Sequence, residues 1–193
     1  MPKRHNKARS GRLRIVAGNW RSRLLDIADV PGLRPTSERI RETLFNWLAP
    51  RINGARCLDL FAGTGALGLE ALSRGAGSTV FVEQSTRAVS TLNENIKTLA
   101  AEGATVWQMD ALQYLLRERP ERFDLVFLDP PFGTDMLEEL CRLLAERKML
   151  ANDACIYLEQ SRSAPEPDLP EGWHVLKNKT AGNVRYMLVQ QAT

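Results

Sequence analysis

Residues 56–72, RCLDLFAGTGALGLEAL, join a short apolar run to a helix-forming run through the turn GTGALG. Gly63, Gly65 and Gly68 satisfy G-x-G-x-x-G, in which glycines let the backbone curl tightly and approach a ligand closely. A turn of this kind sits between a parallel strand and its covering helix, and it commits the neighbouring chain to right-handed βαβ units. The flanking sequence keeps that rhythm. Strands are predicted at residues 56–61, 78–83, 105–109, 124–128 and 154–159, and helices at 66–74, 86–101, 111–117 and 135–147. The second helix presents one apolar face, Val89, Leu92, Ile96 and Leu99, at helical spacing. Continuous apolar runs such as Leu125 to Leu128 suit strands covered on both faces. After residue 160 the rhythm stops. A Pro-rich loop leads into two strands joined near Ala181-Gly182-Asn183, so the last strand is expected to run antiparallel.

Upstream, RLRIVAGNWRSRLL alternates basic and apolar residues and predicts a β-hairpin, 12–17 and 20–25, about Gly18-Asn19. TSERIRETLFNWLAP predicts a helix capped by Thr36 or Ser37, with Ile40, Leu44, Trp47 and Leu48 inward and Pro50 past its end. The chain divides into residues 1–52 (basic arm, hairpin and helix packed on the core) and an α/β core over residues 53–193. Residues 1–10, polar and basic, are expected to be disordered.

Charge is unevenly spread. Eight of the 26 Lys and Arg residues fall in residues 1–23 (Lys3, Arg4, Lys7, Arg9, Arg12, Arg14, Arg21, Arg23), and no acidic residue precedes Asp26. A mildly acidic body with a basic arm fits contact with nucleic-acid phosphates. The absence of a long apolar stretch or a signal-type apolar segment excludes a membrane partner and predicts a cytoplasmic address. Cys57, Cys141 and Cys155 are far apart, with no C-x-x-C and no nearby histidine. Buried reduced thiols are expected, and no metal. No large self-association surface is advertised, so a monomer is expected.

Glu83 ends an apolar strand twenty residues after Gly63, placed to accept hydrogen bonds from ribose hydroxyls. That geometry serves NAD and S-adenosylmethionine equally. Asp59, at the end of the strand before the glycines, favours the second: its charge repels a pyrophosphate and suits the cationic amino-acid end of S-adenosylmethionine. Asp110 is placed to accept the exocyclic amine of adenine, although it also precedes a helix and could simply cap it. The candidate cofactor residues are therefore Asp59, Phe61, Ala62, Gly63, Thr64, Gly65, Glu83, Asp110, Ala111 and Asp129.

LVFLDPPFG is the second motif. Asp129 and the carbonyl of Pro130 can both accept from one planar NH₂ group, the prolines hold the loop rigid, and Phe132 offers a face for a stacked base. Asp129, Pro130 and Phe132 are the candidate catalytic residues. The arrangement suits an amine attacking a methyl group and offers nothing to hydride transfer. Methylation of a pyrimidine C5 would need a cysteine nucleophile, and none lies near this loop. The third motif, GLRPTSERIRETLFNWL, clusters Arg34, Arg39 and Arg41 at a helix start, as a cap over the cofactor or as phosphate contacts. Arg12, Arg14, Arg21, Arg23, Arg34, Arg39 and Pro131 are the candidate RNA-binding residues.

GLRPTSERIRETLFNWL, CLDLFAGTGALGLEALSRGA, FLDPPF and KTAGNVRY together resemble the RsmD family of bacterial methyltransferases, over nearly the whole chain. The resemblance implies a class I (Rossmann-like) S-adenosylmethionine-dependent methyltransferase fold, with seven strands and the last antiparallel. It implies S-adenosylmethionine as donor, and as target the N2 of a guanosine (966 in the reference rRNA numbering) in small-subunit ribosomal RNA of a partly assembled 30S particle. From the residues alone, a methyltransferase acting on adenine N6 or a glutamine amide, an NAD-dependent oxidoreductase and a non-catalytic RNA-binding platform stay open as alternatives.

Overall fold

The computed structural model describes residues 11–32, 34–117, 121–134 and 136–191. Residues 1–10, with their expected disorder and four of the arm's basic side chains, lie outside the described residues, as does Asp135 at the expected start of the fifth helix. Strands β1 (Arg12–Arg14) and β2 (Leu24–Asp26) form a small antiparallel ribbon, followed by helix α1 (Glu38–Leu48). The alternating core then runs β3 (Arg56–Asp59), α2 (Ala66–Ser73), β4 (Ser78–Glu83), α3 (Thr86–Leu99), β5 (Ala104–Gln108), α4 (Ala111–Leu115), β6 (Phe123–Leu128), α5 (Leu137–Glu146), β7 (Leu150–Ser161), β8 (Trp173–Ala181) and β9 (Val184–Gln191).

The core sheet has the order β5-β4-β3-β6-β7-β9-β8. β5, β4, β3, β6 and β7 pair in parallel, and β9 runs antiparallel between β7 and β8. The antiparallel last strand is as the sequence predicts. The chain passes from β3 outward to β4 and β5, then crosses back to β6 on the other side of β3. That reversal opens a crevice at the carboxyl ends of β3 and β6, where ligands bind in open α/β sheets. β7 is longer than its predicted core because it serves two partners, β6 on one side and β9 on the other.

Both faces of the sheet are covered. On one, Ile40, Leu44, Phe45 and Leu48 of α1 pack with Leu67 and Ala71 of α2 over Leu125, Phe127 and Tyr157. On the other, Tyr114 of α4 and Leu140, Cys141 and Leu144 of α5 pack over Val126, Leu128 and Ile156. α3 buries Ala88, Val89, Leu92, Asn95 and Leu99. Asn95 is a polar residue on that apolar face, and its carboxamide pairs with both backbone groups of Asp26 and donates to the carbonyl of Thr64 (3.1 Å). The three cysteines are free and buried, and burial pushes the Cys57 and Cys141 thiols up to about 12.

The predicted hairpin is present with shorter strands. β1 and β2 pair antiparallel over three residues each, and Ile15 extends the pairing by donating to the Arg23 carbonyl and accepting the Ser22 amide. Residues 16–20 turn to bond α2 rather than extend the ladder to Gly18-Asn19. The amides of Val16 and Ala17 donate to the Glu70 carboxylate (2.8 and 3.0 Å), and those of Asn19 and Trp20 donate to the carbonyl and hydroxyl of Ser73. Arg41 is also corrected. It is 1% exposed and takes no part in a surface cluster with Arg34 and Arg39. Its guanidinium donates to Glu70 (3.2 Å), the carbonyl of Arg14 (2.8 Å) and the carbonyl of Thr36 (3.2 Å). Arg74 completes the set with a 2.7 Å bond to Glu70. The Glu70 carboxylate thus accepts two amides and two guanidinium groups while wholly buried. Satisfying its acceptor sites offsets the cost of taking the charges out of water.

Glu70→Ala leaves the Arg41 guanidinium buried beside no anion. It is expected to cost about 3–5 kcal/mol, read as a lowered urea midpoint. Arg56→Ala, which breaks the exposed pair with Asp124, is expected to cost under about 1 kcal/mol.

Candidate active site

β3 delivers the chain to the crevice at Asp59, and the turn from Leu60 to Gly65 leads into α2. The turn is fixed by backbone bonds from Ala62 to the Val82 carbonyl (3.0 Å) and from Gly65 to the Ala62 carbonyl (2.8 Å). Gly65 stands at φ +91°, where a side chain would be strained, and a Cβ on Gly68 would come within 2.2 Å of the Phe81 ring. The third glycine therefore lets α2 lie directly on β4, and the second lets the turn close. Glu83, at the end of β4, accepts the amide of Gly63 (2.9 Å) on one oxygen and that of Ser85 (2.7 Å) on the other. Its carboxylate secures the rim of the turn, and each oxygen keeps a lone pair for a further donor.

Asp59 does not stand on the rim. It is 2% exposed, its Oδ2 accepts the amide of Gly68 (2.9 Å), and burial, reinforced by the charge of Glu83, pushes its carboxyl up to about 7. The picture of three acids displayed along one edge is corrected accordingly: this one lies beneath the turn, because the N-terminal amides of α2 draw it inward. Asp110 caps α4, with Oδ1 accepting the amides of Leu112 and Gln113 (2.9 and 3.1 Å). Ala111 is buried behind it, and Phe61 is half-buried against the core.

Across the switch point, β6 ends at Leu128 and Asp129 follows, half-buried. Pro130 is buried, whereas Pro131 is exposed and Phe132 is 55% exposed. The loop closes on itself through Thr134, whose amide and hydroxyl both donate to the Pro131 carbonyl. An exposed aromatic thus stands three residues after a partly buried carboxylate. Among the RNA candidates, Arg12, Arg14, Arg21, Arg23, Arg34 and Arg39 are all exposed. Arg12 lies 3.8 Å from Asp26, and Arg23 donates to the Thr98 carbonyl.

Three residues around Asp129 escaped the sequence reading. Ser37 caps α1, which leaves the Thr36 hydroxyl to donate to Asp129 Oδ2 (3.2 Å). Leu128 pairs with Leu158, so Glu159 follows in register beside Asp129. Glu159 is 4% exposed and accepts the Tyr157 hydroxyl (2.6 Å). Burial raises the proton affinity of Asp129 well above the carboxylate norm, and the charge of Glu159 adds to it. Burial raises Glu159 too, against the pull of its hydroxyl donors. One signal was present: Glu159 ends an apolar strand in YLE just as Glu83 does in FVE.

Residues 13–190 match the family model described as Conserved hypothetical protein 95. The chain is 45% identical over 189 residues to Ribosomal RNA small subunit methyltransferase D of Escherichia coli strain K12, covering 98% of this chain and 95% of the relative. It is 44% identical over 183 residues to the protein of that name from Haemophilus influenzae (93% and 94%). A solved Escherichia coli structure, that of yhhF, has a TM-score of 0.88 at 42% identity, covering 95% of this chain and 99% of that one. The fold and the glycine turn define a class I S-adenosylmethionine-dependent methyltransferase. The chain belongs to the Conserved hypothetical protein 95 family, the RsmD family of methyltransferases.

The crevice fits S-adenosylmethionine on its own chemistry. Glu83, Asp110 and Asp129 border it, with Asp59 beneath the turn, a set of acids that favours a sulfonium and an ammonium and disfavours a pyrophosphate. Thr64 Oγ1, inside the turn, is one of two buried side-chain polar atoms without a hydrogen-bond partner among the described residues, a group that a ligand at the turn could satisfy.

Because the folded Asp59 binds its proton up to about pH 7, and the unfolded residue releases it near pH 3.9, its contribution to stability is full in acid. That contribution declines between about pH 4 and about pH 7, at roughly 1.4 kcal/mol per unit, and is gone above about 7. Asp59→Asn is expected to flatten that decline, as checked by chemical unfolding at a series of pH values.

Proposed function

We propose that this chain transfers a methyl group from S-adenosylmethionine to the exocyclic N2 of a guanosine in small-subunit ribosomal RNA, guanosine 966 in the reference numbering, within a partly assembled 30S particle. The observation that carries the reading is Asp129 at the end of β6, next to the exposed Phe132 and opening on the acid-lined glycine turn. The name of the 45% identical relative, a small-subunit ribosomal RNA methyltransferase, supports the substrate class.

In this reading the turn from Phe61 to Gly65 lies against the cofactor, with Glu83 accepting from ribose and Asp110 and Ala111 bordering the adenine. Asp59 supports the turn from beneath, and Asp129 stands across the crevice from it. When bound, the cofactor supplies an electrophilic methyl group on a sulfonium. Phe132 stacks on the base, which is unpaired or flipped so that its amine can reach the methyl. Pro131 borders the stacked base. Asp129 and the Pro130 carbonyl accept the two N–H groups, turning the nitrogen lone pair toward the methyl. Attack is direct, with no covalent bond to the enzyme, and most of the acceleration comes from positioning. Arg12, Arg14, Arg21, Arg23, Arg34 and Arg39 contact phosphates and set the register of the RNA. The chain acts as a monomer in the cytoplasm, and residues 53–193 carry the chemistry while residues 1–52 hold the RNA.

The deciding experiment transfers labelled methyl groups to ribosomal particles from cells lacking this protein and digests the RNA to nucleosides. Label in N2-methylguanosine supports the reading; label in N6-methyladenosine or in protein favours the alternatives. Asp129→Ala should lower turnover by about 10³-fold while leaving S-adenosylhomocysteine affinity nearly intact by titration calorimetry. Replacing Arg12, Arg14 and Arg21 with Gln should flatten the slope of log affinity against log salt by about 0.7 for each single-strand phosphate that is no longer neutralised.

A further inference from the structure

We propose that Glu159 and Thr36 are positioning residues that hold the Asp129 carboxylate in place and make it the acceptor of the proton that the amine loses on methylation. This rests on the reading of Asp129 as the amine grip.

The chemistry requires such an acceptor. As the N–C bond forms, the C–S bond breaks and its electron pair stays on sulfur. The positive charge passes to the methylated nitrogen, which becomes neutral only when one of its protons leaves. Asp129 already touches an N–H of that nitrogen, so the shortest path for the proton is along this hydrogen bond to the carboxylate, and from there to water.

A stronger base holds that proton more firmly as it leaves the nitrogen, and the surroundings of Asp129 raise its proton affinity. Three acids converge on the switch point from neighbouring strands: Asp59 from β3, Asp129 from β6 and Glu159 from β7. Among the described residues no Lys or Arg forms an ion pair with any of them. The nearby guanidinium of Arg41 points its donors at Glu70 and at the carbonyls of Arg14 and Thr36. The remaining groups are hydroxyls. Tyr157 donates to Glu159 from the same strand, Tyr186 of β9 pairs in register with Glu159, and Thr36 donates to Asp129 from the loop before α1. Burial, with the like charge of Glu159 added to it, strengthens proton binding at Asp129, and burial strengthens it at Glu159. The Thr36 hydroxyl works in the opposite sense. It favours the ionised carboxylate and fixes its orientation, so Asp129 stays available as an acceptor before the methyl moves.

The two residues therefore pull in opposite directions, and that is the test. Methyl transfer to the particles is followed as kcat/KM against pH through the acid and neutral range, for the wild-type chain, Glu159→Gln and Thr36→Val. Glu159→Gln should move the acid limb to lower pH by about one unit and lower kcat on the plateau. Thr36→Val should move the limb to higher pH. S-adenosylhomocysteine affinity and melting temperature report whether either variant is merely misfolded. Limbs that do not move, or that move the same way, overturn the proposal. Should Glu159→Gln not fold, Thr36→Val decides: an upward limb supports the proposal and an unmoved limb overturns it. A wild-type chain that labels no guanosine, or an active Asp129→Ala, would instead sink the underlying reading of the site.

Discussion

The buried Glu70 carboxylate joins the N-terminal segment, α1 and α2 at one point. It gathers the amides of Val16 and Ala17, the guanidinium of Arg41 and the guanidinium of Arg74. α2 carries it, and α2 is also the helix that begins at the glycine turn. One side chain therefore ties the basic N-terminal segment, α1 and the glycine turn into a single body. The surroundings of Asp129 depend on it at one remove. Arg41, oriented by Glu70, grips the carbonyl of Thr36, and the hydroxyl of Thr36 reaches Asp129.

The N-terminal segment and the crevice are therefore not independent modules. Asn95 repeats the pattern on the other side of the turn, bonding to Asp26 of β2 and to the Thr64 carbonyl with one carboxamide. Buried polar groups with every partner satisfied rigidify a structure more than apolar contacts do, because each is costly to leave unpaired. Here they are placed between the arm and the crevice. A methyl transfer that relies on positioning requires such stiffness, since small displacements of the reacting atoms are expensive.

The acids of the crevice divide by environment. Glu83 and Asp110 keep backbone partners at the ends of β4 and β5 and border the crevice. Asp59 is drawn under the turn and holds a proton to about pH 7. Asp129 and Glu159 lie side by side with hydroxyl donors and, among the described residues, no ion-paired cation. Identical chemical groups thus acquire different proton affinities from burial and from one another.

Much of this was legible in the sequence. The glycine turn, the strand–helix alternation, the antiparallel final strand and the exposed Phe132 after Asp129 are all local patterns, and local patterns survive in a linear string. The alternation of basic and apolar residues in 12–25 gave the hairpin but not the extent of its strands, because residues 17 and 20 find their partners on a helix 53 residues away. Arg41 looked like its neighbours Arg34 and Arg39, and only the fold shows that it faces Glu70. Asp59 looked like a rim acid until the amides of α2 drew it inward. The pairing of Leu128 with Leu158, which brings Glu159 to Asp129, is a matter of strand register. Sequence determined which groups are present and which elements carry them. Tertiary structure decided which charges meet and which are buried, because proton affinity and ion pairing depend on distances across the sheet that no spacing along the chain encodes.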